Sequence, residues 1–501
     1  MKIALIYPDY LPGTTPRSKR LGFYSEGIAS ISAVLKASGH SVRLVHLTAP
    51  ALRGDIEDAL AKWDPHVVGF STRSSNFKDT VRYAAWIKAD PRIRAVLVAG
   101  GYHATLDPGG TLAEGVFDFV LGGQADFTFR DFCGALCRGS EYDEIPGLFY
   151  RSGGKVRSNL PGRIVDDLDS IPYPDVGVFE VGRLESYALK TAPAILSRGC
   201  PFTCSYCCNA AFRAFHGNPK PYLRYRSPEN SIGYLKAMLS HFPNAKYVSF
   251  LDNILPLKID WFRRFSYLYS REIGLPYACN ARADILTEEA ADLLFESGCY
   301  RVHFGVESGD PELRKEVLGR GMSNDSIRRA FRLCQERGIA ALAYNMVGLP
   351  GETLDLAWKT VRFNASLPSA RVLAPTFYPY PGSRAYETSL LKGRVVEDPS
   401  GQVFLDQPGF TWREARFASL YFRLFVRLCR LAGYLPVPLR DKWLAFLKSL
   451  FCFRRKPHGL LIAAAVTLVS LREAVLSAAK SRLGDTYLRL RDRSLRAGRA
   501  A

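Results

Sequence analysis

Residues 197–212 read SRGCPFTCSYCCNAAF, which places four of the chain's 11 cysteines within nine positions. Cys200, Cys204 and Cys207 have the spacing C-x3-C-x2-C. Three thiolates on one short loop reach three corners of an iron–sulfur cube and leave the fourth iron for an outside ligand. A zinc site wants a fourth protein ligand. Cys208 is a poor candidate for that role, because neighbours on a tight loop point in different directions. A disulfide would need an oxidising compartment. Buried structural cysteines would explain the number of thiols but not their spacing. The loop is therefore read as a cluster site held by Cys200, Cys204 and Cys207, with Cys208 left out.

Outward from this loop the chain alternates strand and helix patterns. PAILS (193–197) leads in, and a helix starts at SPENSIGYLKAML, where Ser227 suits the N-cap and Pro228 the first turn. Further strands are expected at AKYVSFLDN, YACNAR, YRVHFGVESG, IAALAYNMVG and RVLAPTFYPYPG, with helices between them. Six such units make an open parallel barrel, short of the eight that close one, and its working face is at the carboxyl ends of the strands.

Residues 1–135 carry a separate alternation, with strands at KIALIY, SVRLVHL, VVGFSTR, AVLVAGG and FDFVLGG, which implies a doubly wound parallel sheet of Rossmann-like type. Ligands of such sheets lie beyond the carboxyl ends of the strands. Here those ends are the loops around 8–23, Ser71 to Ser74, Gly100–Gly101–Tyr102–His103 and Gly122–Gly123–Gln124. The glycine pairs there allow a bulky group to approach the backbone, or are simply tight turns. His66, in DPHVVG, stands just before the third strand, where the chain enters the sheet from its far side.

Residues 136–190 are turn-rich and read as a linker with a small hairpin, residues 191–390 hold the partial barrel, and 391–501 form a basic helical region. The net charge is +19, and from 411 onward 19 basic residues face 5 acidic ones, so most of the excess lies in this tail. Its helical patterns, such as ASLYFRLFVRLCRLAGYL and LIAAAVTLVSLREAVLSAAKSRL, mix large apolar residues with arginines. Such stretches suit an anionic membrane surface or a helical cap on the barrel. No apolar run reaches the roughly 18 residues of a membrane span. The cysteine usage and the start MKIALIYPDY lead us to expect a cytoplasmic protein without a leader, with any membrane contact peripheral.

The spacing C-x3-C-x2-C with Tyr206 before its last cysteine resembles the signature of radical S-adenosylmethionine (SAM) enzymes. The resemblance implies a [4Fe-4S] cluster whose open iron binds SAM and passes it one electron from an external reductant. The resulting 5′-deoxyadenosyl radical takes a hydrogen atom from the substrate. Other strand ends resemble the family in turn. Asp252 and Asn253 in FLDN match groups for the amino end of SAM, Glu307 and Ser308 in GVESGD those for its ribose or methionine part, and Gly348 and Gly351 in NMVGLPGET the adenine region. The front domain resembles the cobalamin-binding domain of one large subclass, although GGQAD keeps only Asp126 where that subclass carries two acidic residues. The resemblance places Ser71, Ser74, Gly100, Gly101, His103, Gly122 and Gly123 near cobalamin. It implies a cobalamin-dependent methyltransferase acting on a small substrate, lipophilic if the tail meets a membrane. Within the same subclass, a cyclase, oxidase or rearranging enzyme is the alternative. An RNA-modifying enzyme of the methylthiotransferase type would need three further front-domain cysteines, and none precedes Cys133; nucleic acid is not expected as a partner. Tyr378, Tyr380 and Arg384 at the last strand end are candidates for touching substrate.

Overall fold

The computed structural model describes residues 1–465 except 12, 17–19, 369, 454–457, 459 and 464. The expected helix at LIAAAVTLVSLREAVLSAAKSRL therefore falls largely outside the described residues, as does part of the 8–23 loop.

The front domain is built on β1 (Lys2–Pro8), β2 (Ser41–Leu47), β3 (Val67–Thr72), β4 (Val96–Gly101) and β5 (Phe119–Leu121), in the parallel order 2-1-3-4-5. Six of the seven residues of β1 are buried, as a strand covered by helices on both faces requires. The helices are α1 (Glu26–Ala37), α2 (Arg53–Trp63), α3 (Phe77–Ala89), the short α4 (Tyr102–Leu106) and α5 (Pro108–Ala113), and α6 (Ala125–Arg138). The sequence pattern missed α2, which buries only Ile56, Glu57 and Leu60 and so has a weak apolar stripe. It also missed α4 and α5, which are too short for helical periodicity to register.

The hairpin of the turn-rich stretch, β6 (Leu148–Ser152) and β7 (Lys155–Ser158), pairs antiparallel with β5 and widens the front sheet to seven strands. After it comes a one-turn α7 (Glu185–Ala188).

The second sheet is all parallel, in the order β15-β14-β13-β12-β11-β8. Its strands are β8 (Thr191–Ala194), β11 (Tyr247–Phe250), β12 (Tyr277–Ala281), β13 (Cys299–Glu307), β14 (Ala340–Asn345) and β15 (Arg371–Leu373), which gives the six units expected. Between β8 and β11 lie a small ladder, β9 (Ser197–Arg198) with β10 (Arg224–Tyr225), then α8 (Cys208–Phe215) and α9 (Pro228–His241). Ser227 caps α9 by accepting from the Asn230 amide at 3.1 Å. The crossovers are α10 (Ile259–Glu272), α11 (Glu288–Glu296), α12 (Asn324–Glu336) and α13 (Leu354–Ser366). One hydrophobic core runs through both domains.

After α14 (Arg384–Lys392) the chain forms a hairpin, β16 (Arg394–Glu397) with β17 (Val403–Asp406), where a purely helical region was expected. Then come α15 (Trp412–Leu431), opened by a Thr411–Glu414 capping box, and α16 (Val437–Cys452). Among the described residues no helix is long and apolar enough to cross a membrane.

Candidate active site between the two sheets

The cysteine loop spans residues 199–207, between β9 and α8, and several elements hold it in place. Asp252, just past β11, is buried and accepts from the Leu196 amide at 3.0 Å, the Ser197 amide at 2.6 Å and the Ser197 hydroxyl. Burial raises its pKa to about 6 against those donors. Both oxygens of Asp252 are thus engaged at the bend before the loop. Asn253 is exposed beside it and donates to the Gly199 carbonyl at 3.1 Å. Gly199 has φ +89°, and a Cβ there would stand 2.2 Å from the Tyr222 carbonyl, so only glycine fits.

Cys204 is buried, and its sulfur receives Arg282 at 3.9 Å and Arg320 at 3.8 Å. Cys200 and Cys207 are half-buried. Burial raises the Cys200 thiol, whereas a hydrogen bond from the Cys208 thiol lowers Cys207. Asn209 donates to the Cys207 sulfur at 3.5 Å and to Asn253 at 3.2 Å. Among the described residues no three His, Cys, Asp or Glu side chains are gathered to hold a single metal ion. Three thiols on one loop, one of them flanked by two guanidinium groups, are a donor set suited to an anionic iron–sulfur cluster.

Tyr206 reaches the carboxyl end of β13. Its hydroxyl donates to Glu307 at 2.8 Å and accepts from Arg320 at 3.0 Å, and its ring packs in an apolar cluster with Leu318, Leu349 and Phe377. Glu307 is buried with φ +65°, and burial raises its carboxyl against the opposing charge of Arg320, 3.7 Å away. Ser308 is fully buried and contacts Thr360 at 3.3 Å. The Gly348 and Gly351 amides donate to Glu352 and Gln407, at 2.7 and 2.8 Å. Burial raises the Glu352 carboxyl to about 8. These groups stand together at the carboxyl ends of β13 and β14.

On its other side the cysteine loop faces the front domain across a cavity of about 580 Å³. Ser71, Gly100, Gly101 and Gly123 line it from the front sheet, and Gly199, Cys208, Asn209 and Asn253 from the barrel. Arg73 and Tyr102, inside two of the strand-end loops expected to face a ligand, also stand in the wall, whereas sequence reasoning missed Tyr7, Tyr24, Glu26 and Phe212. The Tyr102 and Phe212 rings stack at 5.4 Å across the two domains. Ser74 and His103 are not part of the wall. They bond each other at 3.0 Å, and the His103 ring is buried against Phe77. Gly122 also lies outside the wall. A Cβ at Gly122 would meet Phe215 at 2.3 Å, and one at Gly123 would meet His216 at 2.5 Å. The bulky neighbours of this glycine pair are thus side chains at the end of α8. Gly27 is different: it stands in the wall at the start of α1, with open space where a Cβ would project. This open, glycine-bearing recess beyond the sheet ends suits a large flat cofactor such as a corrin. His66 lies at the amino end of β3, away from the cavity, and accepts from the Lys2 amide.

Tyr378 and Tyr380 pair at 4.7 Å after β15, with Tyr380 in electrostatic range of Cys207 and Cys208. Arg384 stands behind the loop, beside Gly319.

A parallel partial barrel with a three-thiol loop, closed against a doubly wound domain over a shared cavity, defines an enzyme built around two cofactors. Residues 194–363 match the Radical SAM superfamily and residues 23–132 the B12 binding domain. The chain belongs to the radical SAM enzymes that carry a cobalamin-binding domain. These domains imply a [4Fe-4S] cluster, SAM and cobalamin as cofactors. The chain is 27% identical over 404 residues to the uncharacterized methyltransferase PH0819 of Pyrococcus horikoshii, covering 79% of this chain and 84% of that one. It is 23% identical over 376 residues to the anaerobic magnesium-protoporphyrin IX monomethyl ester cyclase of Rubrivivax gelatinosus, covering 72% and 65%. The solved structure of the radical SAM methyltransferase TsrM from Kitasatospora setae shares the fold, with a TM-score of 0.65 and 14% identity over 94% of this chain and 99% of that one.

Proposed function

We propose that the protein methylates an unactivated carbon of a small organic substrate. A cavity lined by Gly199 at the entry of the cysteine loop, by Cys208 and Asn209 just past it, and by the carboxyl ends of the front sheet carries this reading. When bound, the cluster with SAM supplies hydrogen-atom abstraction, and cobalamin supplies a methyl group. The chain's own part is placement and exclusion of water. Cys200, Cys204 and Cys207 hold the cluster, with Arg282 and Arg320 offsetting charge on Cys204. Glu307, Gly348, Gly351 and Asn253 bound the SAM side, and Tyr206 and Asp252 act by positioning Glu307 and the loop. Ser71, Gly100, Gly101 and Gly123 bound the cobalamin side, while Ser74, His103 and Gly122 support it from behind.

A lipophilic substrate suits an enzyme whose basic region meets a membrane surface. An external one-electron reductant delivers the electron, and the basic region 411–501 makes peripheral membrane contact inside a reducing cytoplasm. Similarity to the cyclase supports a second reading, in which the substrate radical closes or oxidises without accepting a methyl group. Anaerobic reconstitution with SAM, cobalamin and a reductant separates the two readings. Methyl transfer yields both 5′-deoxyadenosine and S-adenosylhomocysteine. Deoxyadenosine alone would sink the methylation reading.

A further inference from the structure

The turn between α15 and α16 reads LAGYLPVPL over residues 431–439, and its large apolar side chains face outward. Tyr434 is 87% exposed, Val437 57%, and Leu431 and Leu439 both 55%. A single exposed leucine needs no explanation, whereas a cluster of them at a protruding tip does. The two helices support the tip firmly, since Phe425 and Phe451 pack at 5.0 Å and the Trp443 indole donates to the Leu428 carbonyl at 3.1 Å. Its side chains are thus presented on a rigid hairpin.

We propose that this tip inserts into the interface of an anionic lipid bilayer. Between 423 and 448 the hairpin carries six basic residues and one acidic residue, Asp441. Arg427, Arg440 and Lys442 flank the apolar tip on its two helices, an arrangement that suits apolar insertion backed by anionic headgroups. Tyr434 has the amphipathic ring favoured at headgroup depth. Charge argues against a second copy of the chain as the occupant, because a two-fold contact would set basic flank against basic flank.

The tip lies at the base of the barrel. Ala415, at the start of α15, stands beside Gly348 at the carboxyl end of β14, while Arg430, at its end, donates to the Asn364 carbonyl near the end of α13. The hairpin therefore runs from the working face toward the amino ends of the strands. A bilayer bound there tethers the enzyme by its base and leaves the cysteine loop uncovered. This sharpens the peripheral-contact part of the proposed function and rests on it, but not on methyl transfer.

The test is co-sedimentation of the full-length, cluster-loaded protein with phosphatidylcholine vesicles, with and without phosphatidylglycerol. The parent protein is expected to bind the anionic vesicles and to release as salt rises. The combined variant Leu431→Ser, Tyr434→Ser, Val437→Ser and Leu439→Ser should weaken binding about tenfold or more, given roughly 0.8 kcal/mol per buried methylene, and leave SAM cleavage unchanged. Arg427→Gln with Arg440→Gln and Lys442→Gln should flatten the salt dependence. Absence of binding by the parent, or undiminished binding by the tip variant, overturns the proposal. So does a dimer in light scattering that the tip variant abolishes.

Discussion

Arg198 precedes the first cluster cysteine by two residues and reaches into the front domain, where both its terminal nitrogens meet Asp126, at 2.5 and 3.0 Å. Ser30 completes the group by donating to Asp126 at 2.5 Å. The Asp126 side chain is 5% exposed and that of Arg198 21%, so the pair is mostly shielded from water. Removing one member of such a pair costs roughly 3–5 kcal/mol, because the other charge stays buried and unmatched. The lower end applies to Asp126→Ala, since the Arg198 side chain keeps 21% of its exposure. The expected cost is therefore about 3 kcal/mol.

Urea unfolding followed through front-domain fluorescence reads this cost, and the double variant with Arg198→Met isolates the pair. Each single variant should be strongly destabilised and the double much less than their sum, with a coupling of about 2 kcal/mol. Asp126 is held below its ordinary carboxylate value by Arg198. Its contribution is therefore present above the unfolded pKa of about 3.9 and is lost only as pH falls through the lower folded value. The coupling should not change between about pH 5 and 6, below the range in which the neighbouring Glu26 carboxyl ionises. Additive variants, each costing under about 1 kcal/mol as at an exposed surface pair, would refute the reasoning.

Three further outcomes follow from the same interface. Gly122→Ala should cost about 1–3 kcal/mol by driving a Cβ into Phe215, and Phe215→Ala in the same chain should recover part of that loss in thermal unfolding. Glu26, which accepts from Tyr24 at 2.9 Å and Tyr234 at 3.0 Å, has its pKa raised from 4.5 to about 7 by burial. The folded state thus holds a proton that the unfolded state has lost, so stability should fall as pH rises from about 4.5 to 7, by on the order of 1–3 kcal/mol; Glu26→Gln should remove that slope. Cys208→Ala should keep its iron and the charge-transfer absorbance of a cluster, whereas alanine at Cys200, Cys204 or Cys207 should lose both.

The fold was legible because both of its signals are periodic. Buried parallel strands are continuous apolar runs, and the helices between them carry stripes wide enough to count. Of the elements missed, α2, α4 and α5 bury too few side chains to leave such a stripe, whereas α6, which buries Phe129, Phe132, Cys133 and Ala135, and the β16–β17 hairpin were missed for other reasons. The cysteine spacing was legible because a loop ligand set is local in sequence. Partners of that loop were not, since Arg198–Asp126 joins residues 72 apart and Arg320–Cys204 residues 116 apart. Glycine pairs were the least legible. A glycine marks close approach without saying whether a ligand or another side chain approaches, and at Gly122 and Gly123 it is the end of α8.

That docking connects the remaining observations. The cysteine loop is tied to the second barrel strand end through Asp252, to the fourth through Tyr206 and Glu307, and to the front domain through Arg198 and Asp126. Helix α8 follows the loop immediately and presses Phe215 and His216 into the glycine-lined end of β5, while Phe212 stacks on Tyr102. Loop and front sheet are therefore held at one separation by contacts on both flanks of the thiols. Two cofactors that must act on one substrate atom in succession need such a fixed separation, because a misplacement on the order of 1 Å costs about a hundredfold in rate. The acidic residue retained in GGQAD is accounted for in the same way. Asp126 stands where the chain needs a countercharge for Arg198, so its place in the fold is to set the span of the cavity from the side opposite the barrel.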